Sequence, residues 1–171
     1  MGRAVKAVVL ISLTLLIGIS AAQTKQNLLV INPLGLMLGT LYFNYEHGTA
    51  GKAALGFGGN YTNISYGTNS VSGFGIEGTY TAYSNELFRG WFFKPGVGIS
   101  FLNVTYVDDY GYKQSGSGAG FAAGAFGGYR WTWDSFSMGL GGGVVISTGN
   151  IEGYTFSRVG PSILFDMGFA F

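Results

Sequence analysis

The sequence has no cysteine, a single histidine and few charges: only 10% of its 171 residues are Asp, Glu, Lys or Arg. Without thiols there is neither a disulfide frame nor a thiolate metal site, so thiol redox and cysteine-zinc chemistry drop out. No basic excess is present either. Setting aside Arg3 and Lys6, the chain from Gln23 onward carries a net charge of −1, which removes the electrostatic footprint that nucleic acid requires. The good helix formers Leu, Ala, Glu and Lys are scarce after residue 30, which argues against a helical bundle. Beyond residue 22 no apolar run approaches the roughly 20 residues of a membrane-crossing helix.

What the chain does contain is glycine (31 residues) and aromatic side chains (16%), in a sequence that is 47% hydrophobic. The first 22 residues stand apart. Arg3 and Lys6 precede the apolar run 7–19, and Ser20, Ala21 and Ala22 place small residues before Gln23. This order of charge, apolar core and small residues is that of a cleaved secretory signal peptide over 1–22, leaving one domain over 23–171.

From there the pattern has a period of two, the signature of β-strands. In 52–62, Leu55, Phe57 and Tyr61 share one face, opposite Ala54, Gly56, Gly58, Asn60 and Thr62. The segments 71–83, 91–101, 118–131, 135–147 and 163–171 repeat the scheme, with bulky residues on one side and mostly glycine on the other. A soluble sandwich would bury its bulky face and expose Lys, Glu, Thr and Arg. A face of glycine instead fits a small closed barrel in lipid, with bulky residues outside and small ones in a narrow lumen. Closure also removes unpaired strand edges, which hydrocarbon penalises.

Seven strands are countable from Phe43 onward. An even number is required if both ends face the periplasm, so 27–33 is expected to supply a first strand, turned by 33–35 into a second over 37–46. The fold class expected is all-β: an eight-stranded antiparallel transmembrane up-and-down barrel. The segments 48–51, 84–90 and 132–134 then become periplasmic turns, and 63–70, 107–117 and 148–158 become extracellular loops. Tyr45, Tyr83, Trp91, Trp131 and Trp133 are expected on one rim, and Tyr61, Tyr66, Tyr106 and Tyr154 on the other, as interfacial girdles. Pro95, which donates no ladder hydrogen bond, is expected at a bulge near a strand start.

Five ionisable residues fall within the strands, Glu46, Glu77, Lys94, Arg130 and Asp166, and all five lie on the glycine-rich face. A cation facing lipid at mid-bilayer costs roughly 2–4 kcal/mol, so this segregation identifies the inner face. Lys94 and Arg130 are expected to pair with Glu77, Asp166 and Glu46 across the lumen, as a closed polar plug rather than an ion path or gate.

The ending SILFDMGFAF places Phe165, Met167, Phe169 and the terminal Phe171 at every second position. It resembles the C-terminal signal read by the outer-membrane assembly machinery. Together with the leader and eight short strands, 26–171 resembles the small OmpA/OmpX-type barrels of diderm bacteria in architecture and ending. The segment INPLGLMLGTLYFNYEHG is similar to the opening of uncharacterised outer-membrane barrel families. The resemblance implies residence in the outer membrane as a monomer, with the bilayer and the assembly machinery as partners. It does not imply the cell-wall tethering of full-length OmpA.

Other motifs carry less. Residues 73–78 satisfy G-x-G-x-x-G, but inside an alternating strand with no helix following, so no dinucleotide site is implied. Asp108 and Asp109 read as solvated turn residues; neither a metal nor another cofactor is expected. The known barrel enzymes of the outer membrane use His with Ser or acidic residues on the outer side, whereas the one histidine, His47, falls at a periplasmic turn. The chain therefore reads as a non-enzymatic barrel with a structural or adhesin-like role through loops 107–117 and 148–158. A porin-like channel or carrier for small or hydrophobic solutes is the alternative, and a lipid-modifying enzyme the second.

Overall fold

The computed structural model describes residues 25–49, 51–107, 111–152 and 154–171. The proposed signal peptide, Asp108 and Asp109 lie outside the described residues. Eight antiparallel strands form one sheet: β1 (Asn27–Ile31), β2 (Thr40–Gly48), β3 (Ala53–Tyr66), β4 (Asn69–Tyr83), β5 (Gly90–Val107), β6 (Lys113–Trp133), β7 (Phe136–Ile151) and β8 (Tyr154–Ala170). Each strand pairs with the next, and β1 pairs with β8, so the sheet closes into a ring. A short helix, α1 (Pro33–Met37), links β1 to β2; Asn32 caps it by accepting a hydrogen bond from the Gly35 N–H at 2.8 Å.

The closure has a definite stagger. From Leu28 the register runs through Glu46, Gly56, Thr79, Gly96, Gly124 and Val145 to Gly160, whereas Leu28 itself pairs with Ala170, ten residues further along β8. Eight strands closing with that stagger tilt by about 40° from the ring axis. A strand of 17 residues such as β8 therefore spans roughly 40 Å of axial height at ~3.3 Å per residue.

The bulky side chains point outward. Phe121 and Phe136 are 48% and 37% exposed, and Phe57, Phe74, Val97, Ile99, Leu140 and Val144 are exposed with them. Inside, glycine is required where large inner side chains cross the ring. A Cβ on Gly128 would sit 2.7 Å from the Phe92 ring, and one on Gly139 would sit 2.6 Å from Asp166 Oδ1. Gly139→Ala is accordingly expected to destabilise the fold by about 1–3 kcal/mol through overpacking. Gly142→Ala, with no atom nearer than 4.0 Å to its Cβ, is expected to stay within ~0.5 kcal/mol. Urea titration of the refolded variants measures both.

Several expectations are corrected. The segments expected as long loops are largely ladder: β3 and β4 leave only residues 67–68 between them, β5 runs to Val107 and β6 resumes at Lys113, and β7 and β8 cover most of 148–158. Ser, Asn and Thr at these strand ends carry no hydrophobic alternation, yet their backbones pair as well as any. The 33–35 turn is a helical turn, and β2 begins at Thr40 rather than residue 37. Pro95 is not at a bulge, because the register with β4 is the same at Thr79–Gly96 as at Ala82–Phe93. Pro95 instead coincides with a gap in that ladder opposite Tyr80, and its pairing with Ala125 of β6 continues.

Candidate functional site

The end of the ring that carries the β2–β3, β4–β5 and β6–β7 turns, here the turn end, is filled. Alternation along β2, β4, β5, β6 and β8 directs Glu46, Glu77, Lys94, Arg130 and Asp166 inward together, as the sequence implied, and four of them are almost wholly buried. Lys94 Nζ lies 2.9 Å from Glu46 Oε1, and Arg130 Nη2 lies 2.8 Å from Asp166 Oδ2. Glu77 departs from expectation: it pairs with neither cation. Its Oε1 accepts hydrogen bonds from the Tyr42 hydroxyl at 2.5 Å and from Asn44 Nδ2 at 3.4 Å. Lys94 stands on the adjacent strand, four residues along from the position opposite Glu77, and its Nζ is held instead by Glu46 and by Asn44 Oδ1 at 3.2 Å. The inner face thus has two compensated ion pairs and one carboxylate bridged to Lys94 through Asn44.

Aromatic rings seal this layer. Tyr83 donates to Glu46 Oε2 at 2.7 Å, and its ring meets Phe88 edge-on with centroids 5.8 Å apart. The Arg130 guanidinium lies 5.8 Å from the centroid of Phe92, a cation–π arrangement, and Arg130 Nη1 donates to Ser137 Oγ at 3.3 Å. Phe88 comes from the β4–β5 turn, tucked under the ring with a positive φ of 62° and 1% exposure. Thr132 fixes it by donating to its carbonyl at 2.6 Å. Leu28, Val30, Ala54 and Ala170 complete the packed layer.

Tyr83 was expected on the rim and is instead part of this plug. It shares the inward parity of Glu77, Thr79 and Thr81, just as Phe92 shares that of Lys94, so the alternation contained both. Tyr42 and Asn44 follow from the parity of Glu46 in the same way. Phe88 had no such signal, because its position depends on a turn conformation and on Thr132, 44 residues away.

The remaining expected residues are distributed as follows. Phe165, Met167 and Phe169 lie outward and half-buried on β8. The Phe171 carbonyl accepts from the N–H groups of Gln26 and Asn27 at 3.0 and 2.8 Å, tying the last residue to β1. Trp91, Tyr129 and Trp131 form a contiguous outer aromatic group at the turn end, with centroids 5.4 and 4.8 Å apart. Trp133, Phe136 and Phe169 extend it. His47 is exposed there, its Nδ1 2.8 Å from Asn27 Oδ1.

Above the plug, toward the end that carries the β3–β4 and β7–β8 connections, the ring interior opens into a cavity of about 400 Å³ whose lining includes Asn32, Tyr42, Asn60, Glu77, Lys94, Ser100, Leu102, Phe126, Ser162 and Leu164. The interior is therefore blocked at one end and hollow toward the other. Comparison with protein-family models, curated proteins and solved structures finds no match to this chain.

Proposed function

We propose that this chain is an integral outer-membrane β-barrel protein of a diderm bacterium, exported by its 1–22 signal peptide and acting as a structural or surface-interaction element. One observation carries the reading: the outward face is a continuous apolar belt with a polar border. On β5 the outward residues are Trp91, Phe93, Pro95, Val97, Ile99 and Phe101, then Asn103 and Thr105. On β7 they are Phe136 through Ile146, then Thr148 and Asn150; on β8, Phe169 back to Val159, then Ser157 and Thr155. Asn63, Ser72, Asn103 and Ser117 continue the border from strand to strand, paired in register. Eleven tilted residues cover about 25 Å, the height of the apolar band of outer-membrane barrels. The aromatic group around Trp91 and Trp133 lies where an interfacial girdle belongs.

Beyond the border the strands continue as a polar collar roughly 10 Å tall, and this collar, rather than long loops, is the surface offered to envelope or external partners. Rigid scaffolds present binding residues at such ends. The ending at Phe165, Met167, Phe169 and Phe171 supports recognition by the assembly machinery. The plug argues for a protein that does not conduct.

The test is refolding in detergent. The protein is expected to migrate at a different apparent mass unboiled than boiled, and to give no unitary currents in a planar bilayer. A chain that stays folded and monodisperse without detergent overturns the membrane reading. Currents altered by Glu77→Gln replace the structural role with a channel.

A further inference from the structure

The wall of the ring is not uniform. β1 has only five residues, and its ladder with β8 joins Leu28–Ile31 to Met167–Ala170. From Asp166 back to Tyr154, β8 pairs with β7 alone among the described strands. The neighbouring place is taken by α1, of which no residue is buried. This seam falls within the apolar belt, and its edge is adapted to lacking a partner. The Phe171 N–H bonds to Asn27 of β1 and the Ala170 N–H to Ser135 on the β7 side, so odd-numbered residues of β8 direct their N–H toward the seam. Pro161 is one of them and removes a donor where none could be satisfied, a common device of edge strands. Ile163, beside it, is 74% exposed, more than Val97 or Leu140 on fully paired strands.

The cavity above the plug reaches this seam: Asn32 borders it on one side and Ser162, Leu164 and Asp166 on the other. Its size, about 400 Å³, falls in the range of small-molecule sites, roughly 300–1,000 Å³. The lining is mostly apolar but also carries Asn32, Asn60, Ser100 and Ser162, with Lys94 and Asp166 bordering it from within their ion pairs, and the one charge without an ion pair among the inner five is Glu77, held in place by Tyr42 and Asn44. A ligand that satisfies both features has an apolar body and a cationic head.

We infer that the cavity binds a lipophilic amine, admitted from the hydrocarbon through the β1–β8 seam, with its ammonium on Glu77. This rests on the membrane reading above. A mostly apolar lining favours a ligand with an apolar body over a wholly polar one. A lipophilic amine held in the bilayer meets the seam at the depth of the belt and gains the Glu77 carboxylate on entry.

The experiment uses the full refolded barrel in phosphatidylcholine vesicles with 1-naphthylmethylamine as a fluorescent probe and 1-naphthylmethanol as its neutral counterpart. The amine is expected to bind saturably and about tenfold more tightly than the alcohol, as a charge-assisted hydrogen bond would give. Glu77→Gln is expected to erase that preference while leaving alcohol binding unchanged, and Glu86→Gln, on the exposed β4–β5 turn, to change nothing. Ser162→Trp, which fills the cavity beside the seam, is expected to abolish binding of both probes. The bound probe is expected to be quenched by lipids brominated on their acyl chains. Equal affinity for both probes in the unmodified protein, or an amine preference surviving Glu77→Gln, overturns the head-group assignment, and quenching by aqueous iodide alone overturns entry from the side. The unboiled gel shift is scored on the same preparations. A shifted protein that binds no amine overturns this site and leaves the membrane reading standing, whereas absence of the shift removes both.

Discussion

Arg130→Leu is expected to cost the fold about 3–5 kcal/mol, because it leaves the Asp166 carboxylate buried and uncompensated. Asp166 is 1% exposed, and its ion-pair contact is the 2.8 Å bond to Arg130 Nη2. The companion variant Arg130→Leu/Asp166→Leu is expected to recover most of the loss, since replacing a buried pair by apolar residues of similar volume is often close to neutral. Arg158→Leu, on the exposed part of β8, is expected to change stability by no more than ~0.5 kcal/mol. Urea unfolding in vesicles, followed by tryptophan fluorescence, measures all three. A single variant as stable as the parent would mean that the plug is wet and the pair dispensable.

Val97→Arg is expected to destabilise the folded state by about 2–4 kcal/mol in a bilayer, and Thr105→Arg by no more than ~1 kcal/mol. The two residues share β5 and its outward parity, so strand propensity and ladder position contribute little to the difference. What separates them is depth: Val97 lies midway between Trp91 and Phe101, whereas Thr105 stands beyond Asn103, above the polar border. A protein whose outer face meets water would show the two substitutions as equivalent surface changes, each within ~0.5 kcal/mol. Unfolding in lipid vesicles reads the contrast directly, and equal costs would remove the belt as evidence of a membrane.

Much of this arrangement was legible along the chain because side-chain parity is a local property of a strand. Leu55, Phe57 and Tyr61 had to lie opposite Gly56, Gly58 and Asn60, and Lys94 had to share a face with Gly96 and Gly98. The same rule carries Glu46, Glu77, Arg130 and Asp166 to the inside, and Tyr83 with them, because it shares the odd-numbered parity of Glu77 on β4. Strand ends were less legible. Asn63 to Tyr66 and Tyr154 to Arg158 carry loop-like residues, but a β-ladder is built from backbone groups, and polar side chains do not terminate it when the partner strand continues.

The sequence by itself determined an all-β chain and the face on which each charge lies, since both follow from a period of two, and the eighth strand followed from the even number that two ends on one side require. Only the tertiary structure decided which carboxylate meets which cation, that Phe88 stops the turn end, and that β8 runs past the end of β1. Those outcomes depend on the ten-residue stagger with which the ring closes. The stagger sets which residues face one another across the interior, and it is a property of the whole sheet that no single strand encodes.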